Sequence, residues 1–89
     1  MNLAELYEFY FAMGRKLEDF GFSAYEGSGY YYHKMITEMP ERYAVIHLRP
    51  EGVHVTGLHG DQCMFPYSDP NFFSTLEQFS ETGLSPGVH

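Results

Sequence analysis

The chain has a single cysteine, Cys63, and no tryptophan among its 89 residues. One thiol cannot close an intramolecular disulfide, and without a second there is no Cys-x-x-Cys pair for redox chemistry or zinc, so a reducing, cytoplasmic compartment is expected. Positive charge is also scarce: five Lys and Arg stand against twelve Asp and Glu, a formal net charge of −7. All five bases (Arg15, Lys16, Lys34, Arg42 and Arg49) precede Pro50, after which come Glu51, Asp61, Asp69, Glu77 and Glu81 with no base among them. Such a field repels nucleic acid and attracts basic surfaces, which argues against direct DNA or RNA binding. Two acids, Glu5 and Glu8, precede any base, the N-terminus lacks a signal-peptide pattern, and no apolar run reaches the length of a membrane span. No membrane partner is expected.

What the chain does have is rings, eight Tyr and eight Phe, within a composition that is 44% hydrophobic and 19% charged. That is a folding composition, and its length holds one domain, residues 1–89, burying roughly two-thirds of the surface exposed by the unfolded chain. Leu3, Leu6, Tyr10, Met13, Leu17 and Phe20 recur at intervals of three and four, which predicts an amphipathic helix over about 3–20. Asn2 and Glu5 form a capping pair at its start and Gly21 supplies its stop. Phe9 falls off this seam, to be covered by the rest of the fold or to serve as a partner contact.

Residues 22–29 read as a connection with room for a short extended piece. Tyr30 to Ile36 predicts a strand, and Pro40 interrupts it. Tyr43–Arg49 and Val53–His59 flank Pro50-Glu51-Gly52, a turn signature, so they pair as a hairpin. A two-residue loop is favoured because it gathers Ala44, Ile46, Leu48, Val53 and Val55 on one face, whereas a three-residue loop sets Leu48 opposite His54. Gln62–Pro66 is a short last strand. Ser68-Asp69-Pro70 predicts a cap and first turn for a second helix, through Phe72, Phe73, Leu76 and Phe79 to about Glu81; 82–89 is then a frayed, flexible tail. The expected class is α+β: a two-layer sandwich with an antiparallel meander of three or four strands and an N-terminal and a C-terminal helix on one face.

Candidate chemistry is sparse. His54, His59, Asp61 and Cys63, with His47 across the hairpin, are potential zinc ligands, but strand parity separates His54 from His59 and the spacing matches no zinc pattern, so no metal is expected. A Cys63–His59 nucleophile pair lacks a group to orient the base and donors for an oxyanion. Glu38 and Glu41 flank Pro40 in what reads as a solvated turn, and Gly27-Ser28-Gly29 precedes a strand, leaving no helix N-terminus to bind a phosphate. No catalytic residue and no cofactor are assigned. The five histidines would take the charge from −7 to −2 if all were protonated, so an interface could respond to pH.

The aromatic surplus remains. Tyr25, Tyr30, Tyr31, Tyr32, Tyr43 and Tyr67 exceed what so small a core holds, and tyrosine suits protein interfaces because it buries a ring and keeps a hydroxyl. Alternation turns Tyr30 and Tyr32 one way and Tyr31 and His33 the other, so one set reaches solvent. Tyr30, Tyr31 and Tyr32 with Glu26, Glu38, Glu41 and Glu51 are the expected partner-binding residues, packing and steering against a basic groove. The expected function is a non-enzymatic protein that binds and inhibits or modulates a larger basic, nucleic-acid-handling protein by occluding a site. The alternatives are a homo-oligomeric structural or accessory protein, homodimeric through the same rings, and behind it a metal-dependent enzyme. Size, acidity and the missing catalytic constellation resemble phage counter-defence proteins such as anti-CRISPRs, and immunity proteins that neutralise basic nucleases. That resemblance is of kind alone: it carries no motif and transfers no residue.

Overall fold

The computed structural model describes residues 2–86. Helix α1 (Leu3–Asp19) leads into strand β1 (Ser23–Ala24) and a 3-10 turn (Tyr25–Gly27). Strands β2 (Tyr31–Glu38), β3 (Glu41–Leu48), β4 (Gly52–Thr56) and β5 (Gln62–Pro66) follow, then helix α2 (Phe72–Thr82). The class is the α+β arrangement expected, with five antiparallel strands in the order β1-β2-β3-β4-β5 rather than three or four. The additional strand is the two-residue β1, the extended piece after α1, which pairs Ser23 with His33 and Ala24 with Tyr32.

Both ends of α1 obey local chemistry. Asn2 Oδ1 accepts the Glu5 amide at 2.9 Å, and Asn2 Nδ2 donates to Glu5 Oε1 at 3.1 Å, so one side chain covers an orphan N–H while holding its carboxylate neighbour. At the other end the Gly21 amide donates to Glu18 O at 2.9 Å and the Phe22 amide to Leu17 O at 3.0 Å. Gly21 has φ 96°, the conformation that lets a glycine close a helix this way, and Phe22 is thereby driven into the core.

The hairpin has the two-residue register: Leu48 pairs with Val53, His47 with His54 and Ile46 with Val55. Ala44, Ile46, Leu48, Val53 and Val55 are accordingly all buried on the face under the helices, joined by Met13 and Leu17 of α1 and Phe72, Leu76 and Phe79 of α2. Both helices thus share one sheet face and the other is left to solvent. Phe9 is covered by the fold, its ring 4.6 Å from that of Tyr67 in an edge contact. The Tyr67 hydroxyl in turn donates to Arg49 O at 2.6 Å, and burial raises its phenol pKa well above the usual range.

Several boundaries differ from the sequence reading. Leu3, the first residue of the seam, is 64% exposed and lies outside the core. Strand β4 ends at Thr56 instead of reaching His59, since the Gly57 amide donates to Asp61 O at 2.7 Å and turns the chain. Helix α2 starts at Phe72 rather than on Pro70; Asp69 Oδ1 accepts the Asn71 amide at 2.8 Å, so the Ser68-Asp69-Pro70 segment forms the turn before the helix. The tail expected to fray from Thr82 is held as far as Ser85. Thr82 closes α2, Leu58 N donates to Gly83 O at 2.8 Å, and Ser85 donates through its amide to Asp61 Oδ2 at 2.8 Å and through its hydroxyl to Asp61 O at 2.9 Å. These bonds, the Ser85 amide foremost, hold the Asp61 carboxyl below the usual range. The rest of that expected tail, 87–89 with His89, lies outside the described residues.

Candidate functional site

Strand alternation builds the open face of the sheet. Where Ala44, Ile46 and Leu48 point inward, Tyr43, Val45 and His47 point outward; opposite Val53 and Val55 stand His54 and Thr56. The register lines up Tyr31, His47, His54 and Met64 as one row across four strands, beside a second row of His33, Val45, Thr56 and Gln62. Rings meet along these rows. His47 lies 5.3 Å from Tyr31 and 5.6 Å from Tyr30, His33 lies 5.7 Å from Tyr43, and Tyr25 covers one end at 5.9 Å from Tyr31 and 5.5 Å from His33. Tyr25, Tyr30, Tyr31, His33 and Tyr43, with Glu26 at the rim, wall an open trough of about 800 Å³.

The residues expected at an interface divide. Tyr30 is 51% exposed and Tyr31 37%, both on the open side, but Tyr32 is only 5% exposed and belongs to the core. Its ring lies under α1 at Gly14, where a Cβ would fall on the Tyr32 hydroxyl, so glycine at that helical position makes room for the phenol. Glu26 is at the trough rim with φ 50°. Glu38 and Glu41 face each other as cross-strand partners at the β2–β3 turn, and Glu41 Oε2 accepts the Tyr43 hydroxyl at 3.2 Å, which raises the phenol pKa. Glu51 is apart from them, at the opposite end of β3 roughly 25 Å away by strand rise, and its carboxylate is 3.5 Å from Arg49. Tyr25, Tyr43, His33, His47 and His54 complete the face without having been assigned to it from the sequence. The same register that gathers the aliphatics inward carries the signal for Tyr43, His47 and His54, since alternate residues must then point out.

Charge on the molecule is one-sided. Arg49–Glu51 is the one salt bridge among the described residues, and the other four bases are engaged without carboxylates. Lys34 Nζ donates to Phe20 O and Ser80 O, Arg42 donates to Leu58 O, Arg15 lies over the Phe11 ring, and Lys16 lies near Phe20 and Phe73. The remaining acids keep their field.

Cys63 packs against the core from β5 and His59 is exposed in the turn before it, with no hydrogen bond between them among the described residues. Nor does any group of three or more His, Cys, Asp or Glu side chains there gather to hold a metal ion. No described helix is long and apolar enough to cross a membrane. A second apolar groove, about 780 Å³, opens between α1 and the β3–β4 turn, where Leu3, Tyr7 and Phe11 form a ridge. Searches against protein-family models, curated proteins and solved structures find no match to the chain.

The His47 imidazole is held below its ordinary 6.5, first by burial, then by Arg49 and His54. As pH falls the unfolded chain takes up that proton before the native one, so stability present above about 6.5 is lost as pH drops through the depressed native value. The melting temperature of the wild type is expected to fall faster between pH 7 and 5.5 than that of His47→Gln; parallel curves would show that this imidazole does not set the slope.

Proposed function

We propose that the protein is a non-enzymatic docking protein that binds and inhibits or modulates a larger basic, nucleic-acid-handling protein by laying its open sheet face over a cationic groove. The observation that carries this reading is the exposed tyrosine and histidine face set in a molecule whose carboxylates, Glu51 apart, have no cationic partner among the described residues. Rings supply contact area with little side-chain entropy to lose, and the acids steer encounter. Occlusion fits better than duplex mimicry, because twelve acids diluted by five bases make too thin a charge array to stand for a run of phosphates. This is the mode expected of phage counter-defence and nuclease-immunity proteins, to which the chain is similar in kind.

Capture from the native host tests it. A basic protein should co-purify at low salt, weaken at 0.5 M salt, and be lost from Tyr31→Ala and from the double variant Glu38→Gln, Glu41→Gln. Like charges directly opposite on adjacent strands oppose pairing, so the double variant should itself be stabilised by about 0.2–1 kcal/mol. Retention of the partner by the variants at wild-type levels, or a partner that is acidic, would reject the reading. The α1 ridge, with Leu3 64%, Tyr7 63% and Phe11 68% exposed, favours a second one, a homo-oligomer joined through α1. Light scattering that returns a stable dimer, dissociated by Phe11→Ser, would establish it.

A further inference from the structure

We propose that the trough on the open face is an arginine site, taking guanidinium groups from an extended basic segment of the partner; this rests on the docking reading above. Tyr25 stands at 61° to the Tyr31 ring and at 80° to His33. The three rings therefore wall the space instead of closing on one another as a stack, and ring surface is left for an incoming planar group. Two carboxylates are near it, one lining the trough and one bonded to a tyrosine that lines it. Glu26 is on the rim, and Glu41 is held by the Tyr43 hydroxyl through Oε2, which leaves Oε1 without a protein partner among the described residues.

A guanidinium suits this combination for a physical reason. It is planar and weakly hydrated, so it can lie on a tyrosine face and still aim in-plane N–H donors at a carboxylate, whereas a lysine ammonium is a strongly hydrated point charge that does one or the other. The chain's own cations do not occupy the trough. Arg15 and Lys16 lie over phenylalanines of the two helices and Lys34 lies between the helix ends, so no described cation covers the tyrosines of the open face.

The test titrates the whole chain with a capped peptide of four arginines alternating with glycine, and with its lysine counterpart, by calorimetry at low salt. The arginine peptide should bind about tenfold more tightly. Tyr31→Leu and Tyr43→Leu should bring its affinity down to that of the lysine peptide, while leaving the lysine peptide unchanged; thermal unfolding confirms that both variants are folded. Equal affinities, both weakened by Glu26→Gln and Glu41→Gln, would overturn the arginine site and leave basic docking standing. Arginine preference that survives both tyrosine variants would place the site elsewhere and also overturn it. Binding of neither peptide would overturn the arginine site, and recovery of a basic host protein in the same laboratory's capture would show whether the docking reading falls with it.

Discussion

Tyr32→Ala is expected to remove about 3–5 kcal/mol of stability, the range for truncating a large buried aromatic, while Tyr31→Ala costs about 1 kcal/mol, the upper end for a cross-strand ring pair such as Tyr31 and His47. The two tyrosines are adjacent in one strand, yet Tyr32 is 5% exposed beneath α1 and Tyr31 is 37% exposed on the opposite face. Against a total of about 5–15 kcal/mol for an ordinary domain, the first change threatens folding altogether. The second should be small in denaturation and large in binding. Urea denaturation followed by far-UV circular dichroism reads the stability difference, and partner capture reads the other half. A Tyr31→Ala protein that unfolds as readily as Tyr32→Ala would mean that the open face is part of a hidden core.

Lys34→Met is expected to destabilise the protein by about 2–4 kcal/mol, although it keeps the aliphatic stem and adds no bulk. Lys34 Nζ donates to Phe20 O at 3.0 Å and to Ser80 O at 2.7 Å. Phe20 caps the end of α1 and Ser80 lies in the last turn of α2, so one ammonium from β2 meets the negative ends of both helix dipoles. Methionine leaves both carbonyls without that donor, and the contact is partly buried, where a charged hydrogen bond counts for more than at the surface. The midpoint in urea should move to lower concentration with an unchanged slope. A shift equivalent to less than about 0.5 kcal/mol would mean that water serves the two carbonyls equally well.

Much of the scaffold was legible in the residues. The seam of α1, the Asn2 cap and the Gly21 stop are local, and so are the turn at Pro50-Glu51 and the aliphatic alternation that follows from it. Less legible were elements stabilised only by distant partners. Ser23–Ala24 is a strand because β2 lies beside it, and Ser85 is anchored because Asp61 waits in the β4–β5 turn. For the candidate site, alternation put Tyr31 and His33 on one face and Tyr30 and Tyr32 on the other without saying which face is covered, and Tyr32 was assigned to an interface when it belongs under a helix. A run of three tyrosines has no internal feature that says which face a helix covers.

By itself, the order of residues determined the class of fold and the negative charge and favoured the hairpin register that the pairing of Leu48 with Val53 then fixed, since each depends on neighbours within a few positions or on simple counts. The tertiary structure alone decided which tyrosine is core and which is surface, that Glu51 stands with Arg49 and away from Glu41, and that Lys34 joins the two helix ends. Those outcomes depend on contacts between segments far apart in the chain, and local preference, which acts over a turn or a strand pair, does not encode them.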